Sequence, residues 1–316
     1  MTNRDRSVAP APATEVGPIA AVRGRVEQLR HTASPDPAEH HVLRARLDAV
    51  PARRRGLRWR EASVFTDLLF RRRPRKVFRQ LGRMRRQHDV NGTMAEFEEF
   101  WTACQRVLAS DTLGPHGYRP ALAGTDDRQL WREVVAVQSR LAALGRDSFA
   151  NSGTLLGLIR DGSVIAHDDD VDLAVVLTAG DGPGAASEWI DLRGRLSASG
   201  ALDEEFEQRG KIHCRIRTST GVGIDLFPAW VSAGRVFVWP HTSGELAVDD
   251  VFPLAGWPVP GGQVWVPRHP DPMLEQNYGP HWRSPDPTFR FDWVTAKSRF
   301  PGFLSPLEAP PPAEMP

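Results

Sequence analysis

The sequence predicts an α/β fold of the mixed, α+β kind, preceded by a helical region, and three observations predict it. Apolar residues in the first third recur at helical spacing. Beyond Phe149, short β-branched and aromatic runs alternate with a helical segment near 185–199. Between these textures, a glycine turn at Gly153-Thr154 leads through a short apolar helix to a strand whose first residues are carboxylates.

Taken in order, residues 1–18, with Ala-Pro-Ala-Pro, read as a disordered lead. Helices are expected near 19–31, 37–49, 60–70 and 75–87, with Pro74 separating the last two. Thr93 followed by Glu96 forms a capping-box signature, and Phe97, Phe100, Trp101, Cys104, Val107 and Leu108 then follow a helical period. Gly114, Pro115, Gly117 and Pro120 predict a loop. Asp126 is placed to cap a helix that stops at Gly145. Leu155–Ile159 reads as a short helix, Val171–Leu177 as a strand and Ala185–Ser199 as a helix. Ile212–Arg217 and Val222–Phe227 are expected to pair around a turn at 218–221, with edge strands at 234–239 and 263–266. Asp271-Pro272 suits a helix start, cap then N1 proline, for a helix ending at Gly279. The chain therefore divides into 1–18, a helical Arg-rich region 19–110, an α/β region 111–304, and a loose Pro-rich tail 305–316.

Composition narrows the function classes. The chain has 316 residues, 41% of them hydrophobic. It has no apolar run near the ~18 residues that span a bilayer and no signal-peptide core, so a cytoplasmic protein is expected. Cys104 and Cys214 are too few for a disulfide scaffold or a zinc cluster and read as small buried residues. The net charge of +1 conceals a basic segment: residues 53–86 hold 13 Arg and one Lys against Glu61 and Asp67. Phe65, Leu68, Leu69, Phe70, Val77, Phe78, Leu81 and Met84 lie among these cations. Such a pattern suits an anionic membrane surface, or equally a helical cap whose apolar face packs and whose Arg face is solvated. No nucleic-acid-binding motif is recognised.

The chemistry concentrates in Asp168-Asp169-Asp170-Val171-Asp172. Clustered carboxylates repel and resist desolvation, so a fold tolerates them when something positive sits among them. In a strand, residues i and i+2 share a face, so Asp170 and Asp172 point together, Asp168 has the same parity, and Asp169 points away. Asp225 stands inside the apolar run Gly223–Pro228 and needs a partner; on the neighbouring strand it would complete a set of hard oxygen ligands suited to Mg²⁺ or Mn²⁺. A solvated acidic turn is the plainer alternative. An EF-hand fails, with Leu173 at position 6 and Ala179 at position 12. Gly153 and Thr154 open a helix whose free N–H groups suit a phosphate; Ser152 could add a donor and Arg160 a bidentate clamp. Lys211 and His213, ahead of Asp225, are lesser candidates.

These residues resemble a known family. Gly153-Thr154-Leu155-Leu156-Gly157-Leu158-Ile159-Arg160, then His167-Asp168-Asp169-Asp170-Val171-Asp172-Leu173, resembles the LicD phosphotransferases and their fukutin-like relatives. Ile224-Asp225-Leu226-Phe227-Pro228 resembles that family's second acidic motif. Tyr278-Gly279, Trp282 and Pro285 resemble its C-terminal signature. Ala166-His167 departs from the Pro-Trp often found ahead of the Asp run. The resemblance spans about residues 125–290. It implies a nucleotidyltransferase-like mixed sheet with flanking helices. It also implies a metal-dependent transferase moving a substituted phosphate, such as phosphocholine or a polyol phosphate, from a CDP-linked donor to a hydroxyl of a cell-surface glycan or lipid-linked glycan. Asp170, Asp172 and Asp225 would bind the metal and Asp168 would support a second metal or the acceptor; Gly153 and Thr154 would hold donor phosphates. A lipid-linked acceptor would make docking at the inner face of the membrane useful. The alternatives are a nucleotidyltransferase passing a nucleoside monophosphate and a catalytically inactive binding module.

Overall fold

The computed structural model describes residues 17–32, 35–114, 117–122, 125–165, 168–286 and 289–308. Most of the lead, most of the tail, and Ala166-His167 lie outside the described residues. The chain forms two compact units: Met1–Leu108 with Gly114–Gly117, and Ala109–Leu113 with Tyr118–Pro316.

The first unit holds α1 (Pro18–Leu29), α2 (Pro37–Asp48), α3 (Leu57–Leu69), α4 (Pro74–Asn91) and α5 (Met94–Leu108). Prolines at N1 start α1, α2 and α4, where the missing N–H costs nothing. Asp36 caps α2, and Gly92, in the left-handed region, ends α4. Val22, Val26, Leu29, Leu43, Leu47, Val50, Trp59 and Ala62 form a core. Fully buried Asp67 is held by His40 at 2.9 Å, and Arg44 donates to Ser63 at 2.7 Å, so polar side chains pin α2 to α3. On α4 the apolar residues Val77, Phe78, Leu81 and Met84 are all buried. The face that the sequence offers to a bilayer is thus used for packing. Arg75, Arg79, Arg83 and Arg86 remain as an exposed stripe.

Strand pairing replaces part of the loop predicted at 114–120. Asp111–Gly114 (β1) and Gly117–Pro120 (β2) pair as strands, because β pairing tolerates glycine and proline at strand ends. Then come α6 (Asp127–Ala143), β3 (Ser148–Ala150), α7 (Ser152–Arg160), β4 (Asp170–Val176), α8 (Gly182–Ala198), α9 (Glu204–Glu207), β5 (Cys214–Ile216), β6 (Gly223–Ser232), β7 (Arg235–Val238), β8 (Thr242–Ala247), α10 (Val248–Val251), β9 (Ala255–Val259), β10 (Gly262–Val266), α11 (Pro270–Tyr278), α12 (Trp293–Arg299) and α13 (Pro301–Glu308). The main sheet runs β3-β4-β6-β7-β8, and β5 pairs with the first half of β6. It is mixed: β4 and β6 are parallel and the other pairs antiparallel.

Three details differ from the sequence reading. The strand expected at the edge near 234–239 is interior, covered by β8; β10 belongs to a separate hairpin with β9. The C-terminal helix starts at Pro270, so Asp271 lies within its first turn. Residues 305–308 are helical rather than loose, because Phe303 and Leu304 of α13 are buried in the sheet's core. That core includes Trp131, Phe149, Leu173, Trp189, Ile224, Leu226, Trp230 and Trp239.

A carboxylate cluster at the head of two parallel strands

Strand β4 begins at Asp170 and pairs in register with β6, placing Asp170 opposite Gly223 and Asp172 opposite Asp225. Residues in register on adjacent parallel strands share a face about 4.8 Å apart, so the Asp172–Asp225 pair follows from backbone geometry alone. Asp225 is 3% exposed, while Asp168, Asp170 and Asp172 are half-buried and keep a window to solvent. Asp168 and Asp169 precede the strand, so alternation does not govern them. Asp169 consequently does not turn away: one oxygen each from Asp168, Asp169 and Asp170 lie within 4.8 Å of one another. Arg119 bonds Asp169 at 2.7 Å from outside.

Helix α7 packs against this cluster. The Gly153 N–H donates to Asp172 Oδ2 at 3.1 Å, and Thr154 Oγ1 accepts the Asp172 N–H at 2.8 Å. A Cβ at this glycine would press on Asp168 Oδ2, so any side chain here would displace that carboxylate. Ser152 sits at φ +45, a left-handed conformation uncommon for a residue with a side chain. Asn151 is fully buried, yet neither its amide nitrogen nor its oxygen has a hydrogen-bond partner among the described residues, and the Ser152 hydroxyl is likewise unpaired. Buried polar atoms left unpaired are costly, and they and backbone strain concentrate at functional sites. Together with the hard carboxylate oxygens, these orphaned donors and the Cβ-free cradle fit a divalent cation with a phosphate beside it.

Two cationic residues behave differently from the sequence expectation. Arg160 forms a two-pronged pair with its neighbour Asp161 at 2.8 and 2.9 Å. Lys211 is exposed, lies before β5, and makes no hydrogen bond or ion pair to the carboxylates among the described residues. Besides Arg119 at Asp169, the cation that reaches the cluster is Arg215, which is not among the residues the sequence pattern points to. On β5 it stands opposite Asp225. Its guanidinium bonds Asp225 through both carboxylate oxygens, at 2.5 and 2.9 Å, and Asp170 Oδ2 at 2.8 Å. The one available signal was alternation from Asp225 across the hairpin, which needs the exact register of a turn.

The electrostatics follow the burial. Desolvation, then the charge of Asp169, pushes Asp168 up to about 7. Burial, then the charges of Asp168 and Asp225, raises Asp170 well above the usual carboxylate range, and burial, then the charges of Asp170, Asp168 and Asp225, does the same to Asp172. Asp225 is raised by burial, with Arg215 opposing. An acid whose folded value lies above its unfolded one binds its proton more tightly in the folded state. Its stabilising contribution is therefore complete below pH ~3.9 and is lost, for Asp168, as pH rises from about 4 to about 7. A cation competes with those protons, so the Mg²⁺-induced rise in Tm is expected to be larger at pH 8 than at pH 5; equal shifts would count against a metal at these oxygens.

Neighbouring groups frame the cluster. His213 lies 3.5 Å from Asp225 and stacks on Phe227 at 4.7 Å; burial and Arg215 lower it to about 4, so it is neutral. Burial, then Asp172 and Asp168, push the Tyr278 hydroxyl far up. Tyr278 packs on Phe289 at 5.0 Å and His241 at 6.4 Å, while Trp282 is buried under Arg283 at 4.1 Å. Cys104 and Cys214 are buried, and burial raises both thiols.

The chain is similar to an uncharacterized protein of Caenorhabditis elegans, 29% identical over 175 residues, which covers 51% of this chain and 45% of that protein. It thus spans less than half the length of that relative. Residues 145–269, which contain Gly153, the five Asp residues and Arg215, match the family model described as LicD/FKTN/FKRP, nucleotidyltransferase domain.

Proposed function

We propose that this protein is a metal-dependent transferase that moves a substituted phosphate from a CDP-activated donor to a hydroxyl of a glycan or lipid-linked glycan. The family match supports the coarse class, a transferase. What supports the finer reading is that Asp172 and Asp225 lie in register on adjacent strands, two residues from an Asp170 whose oxygen is within 4.8 Å of oxygens of Asp168 and Asp169, beside the buried, unpaired Asn151 and Ser152. Asp170, Asp172 and Asp225 would hold Mg²⁺ or Mn²⁺, which when bound neutralises phosphoryl oxygens and the leaving nucleotide phosphate.

The chain's own groups then divide the work. Asn151 and Ser152, whose side-chain polar atoms are unpaired among the described residues, hold phosphate oxygens, while Gly153 and Thr154 fix Asp172 through its carboxylate and its N–H. Asp168, which stands outside the three carboxylates assigned to the metal and takes no bond from Arg215, is the better-placed general base for the acceptor hydroxyl. Asp225 is the poorer base because its oxygens would be engaged by the metal. The decisive experiment incubates the protein with Mg²⁺ and CDP-alcohols labelled separately in the nucleotide and in the alcohol. Release of labelled CMP with the alcohol phosphate on the acceptor supports the proposal. Label from the nucleotide on the acceptor would instead favour a nucleotidyltransferase.

A peripheral position at an anionic membrane is proposed through Arg75, Arg79, Arg83 and Arg86, not through apolar insertion, because the apolar face of α4 is buried. Binding to vesicles containing acidic lipid should fall steeply with salt and be lost when these four become Gln. Arg71 is unsuitable for this test, since it donates to the Leu68 and Leu108 carbonyls and its loss would loosen the helices.

A further inference from the structure

Arg215 occupies the position that a cation bridging Asp170 and Asp225 would need. Its guanidinium takes both oxygens of Asp225 and one of Asp170. Only 21% of its side chain is exposed, and it lies over the Phe206 ring at 4.4 Å. The seat is shaped for it. A Cβ on Gly223 would fall 2.6 Å from Arg215 Cδ and Nε and 2.8 Å from Cζ, so the side chain lies flat across β6 only because residue 223 has none. Gly223 has no left-handed φ, so its backbone conformation does not account for the glycine.

We propose that Arg215 is a built-in counter-ion that competes with the divalent cation for Asp170 and Asp225, and that cation binding shifts it onto the phosphate of the incoming donor. The inference rests on the metal assignment above and deepens it: it makes Arg215 a positioning residue that couples cation loading to donor binding. Electrostatics favour the exchange. Like-charged carboxylates facing one another favour a cation between them, and a guanidinium and a divalent ion seated on the same pair of carboxylates repel each other, so each weakens the other's hold. Once released from Asp170, a planar guanidinium is well matched to a phosphate.

The test is Mn²⁺ titration at pH 8 by electron paramagnetic resonance on the full chain, with and without CDP. Four proteins are compared: the parent, Asp172→Asn, Arg215→Met and Gly223→Ala. The last moves Arg215 off its seat without deleting it, and so keeps the test alive if Arg215→Met misfolds. With no nucleotide, Arg215→Met and Gly223→Ala should bind Mn²⁺ roughly tenfold or more tighter than the parent, the weight of one or two charge-assisted bonds removed from competition. With Mn²⁺ saturating, Arg215→Met should bind CDP more weakly than the parent. If Asp172→Asn loses Mn²⁺ while Arg215→Met and Gly223→Ala bind it no better than the parent, the counter-ion role is overturned and the metal site stands. If the parent itself binds no Mn²⁺, the metal assignment falls and takes this inference with it.

Discussion

Replacing Asp172 with Asn is expected to abolish transfer while leaving a protein that melts at a higher temperature than its parent in metal-free buffer. Asp172 is half-buried beside Asp170, Asp168 and Asp225, and its ionised form is opposed by desolvation and by all three. An amide of the same shape keeps an oxygen for the Gly153 N–H and leaves the Asp172 N–H on Thr154. Packing is therefore preserved while one unit of repulsion disappears. A gain of about 1 kcal/mol would raise Tm by roughly 2–4 °C for a unit of this size. Function moves the other way. A bound metal supplies several kcal/mol of charge stabilisation, so losing a ligand should cost at least about a thousandfold in rate. Calorimetry in EDTA and in Mg²⁺, alongside turnover, checks both halves. A variant that keeps its turnover, or that loses its fold, would refute the assignment.

The second large effect falls on stability. Gly157→Ala should destabilise the second unit by about 1–3 kcal/mol, the usual cost of forcing a group into a packed interior. A Cβ at 157 would lie 2.6 Å from the Ser163 carbonyl oxygen, 2.8 Å from the Ile165 nitrogen and 3.1 Å from Ile165 Cγ1. The first two are backbone atoms, so no rotamer change can relieve them. The displaced stretch runs from α7 towards Asp168, so affinity for Mn²⁺ should fall together with stability. Urea unfolding measures the first quantity and metal titration the second. An alanine variant as stable as the parent would show that this segment is not held where it is described.

Residue periodicity explains how much of the site was legible. The shared face of Asp170 and Asp172 needs only the pleat of a strand, and Asp225 was found because one carboxylate inside an apolar strand is conspicuous. Alternation does not reach Asp169, because β4 starts at Asp170. Sequence points to Lys211 rather than Arg215 because the β5–β6 register depends on a turn whose geometry Glu133, from a distant helix, helps to hold through Ser219 and Thr220. The pairing of Arg160 with Asp161 is a matter of side-chain conformation, which spacing along the chain does not fix. In the fold, long amphipathic helices were readable. The strands β8 and β9, interrupted by glycine or proline, were not, since their pairing comes from tertiary partners rather than from local preference.

The burial of both sulfhydryls has a practical consequence. Cys104 and Cys214 are the complete thiol content of the sequence, and neither presents a reactive thiolate. Under native conditions a maleimide dye should therefore find no natural target. An Arg79→Cys variant would acquire a single attachment point on the exposed side of α4, and its fluorescence would report directly whether that helix approaches a bilayer.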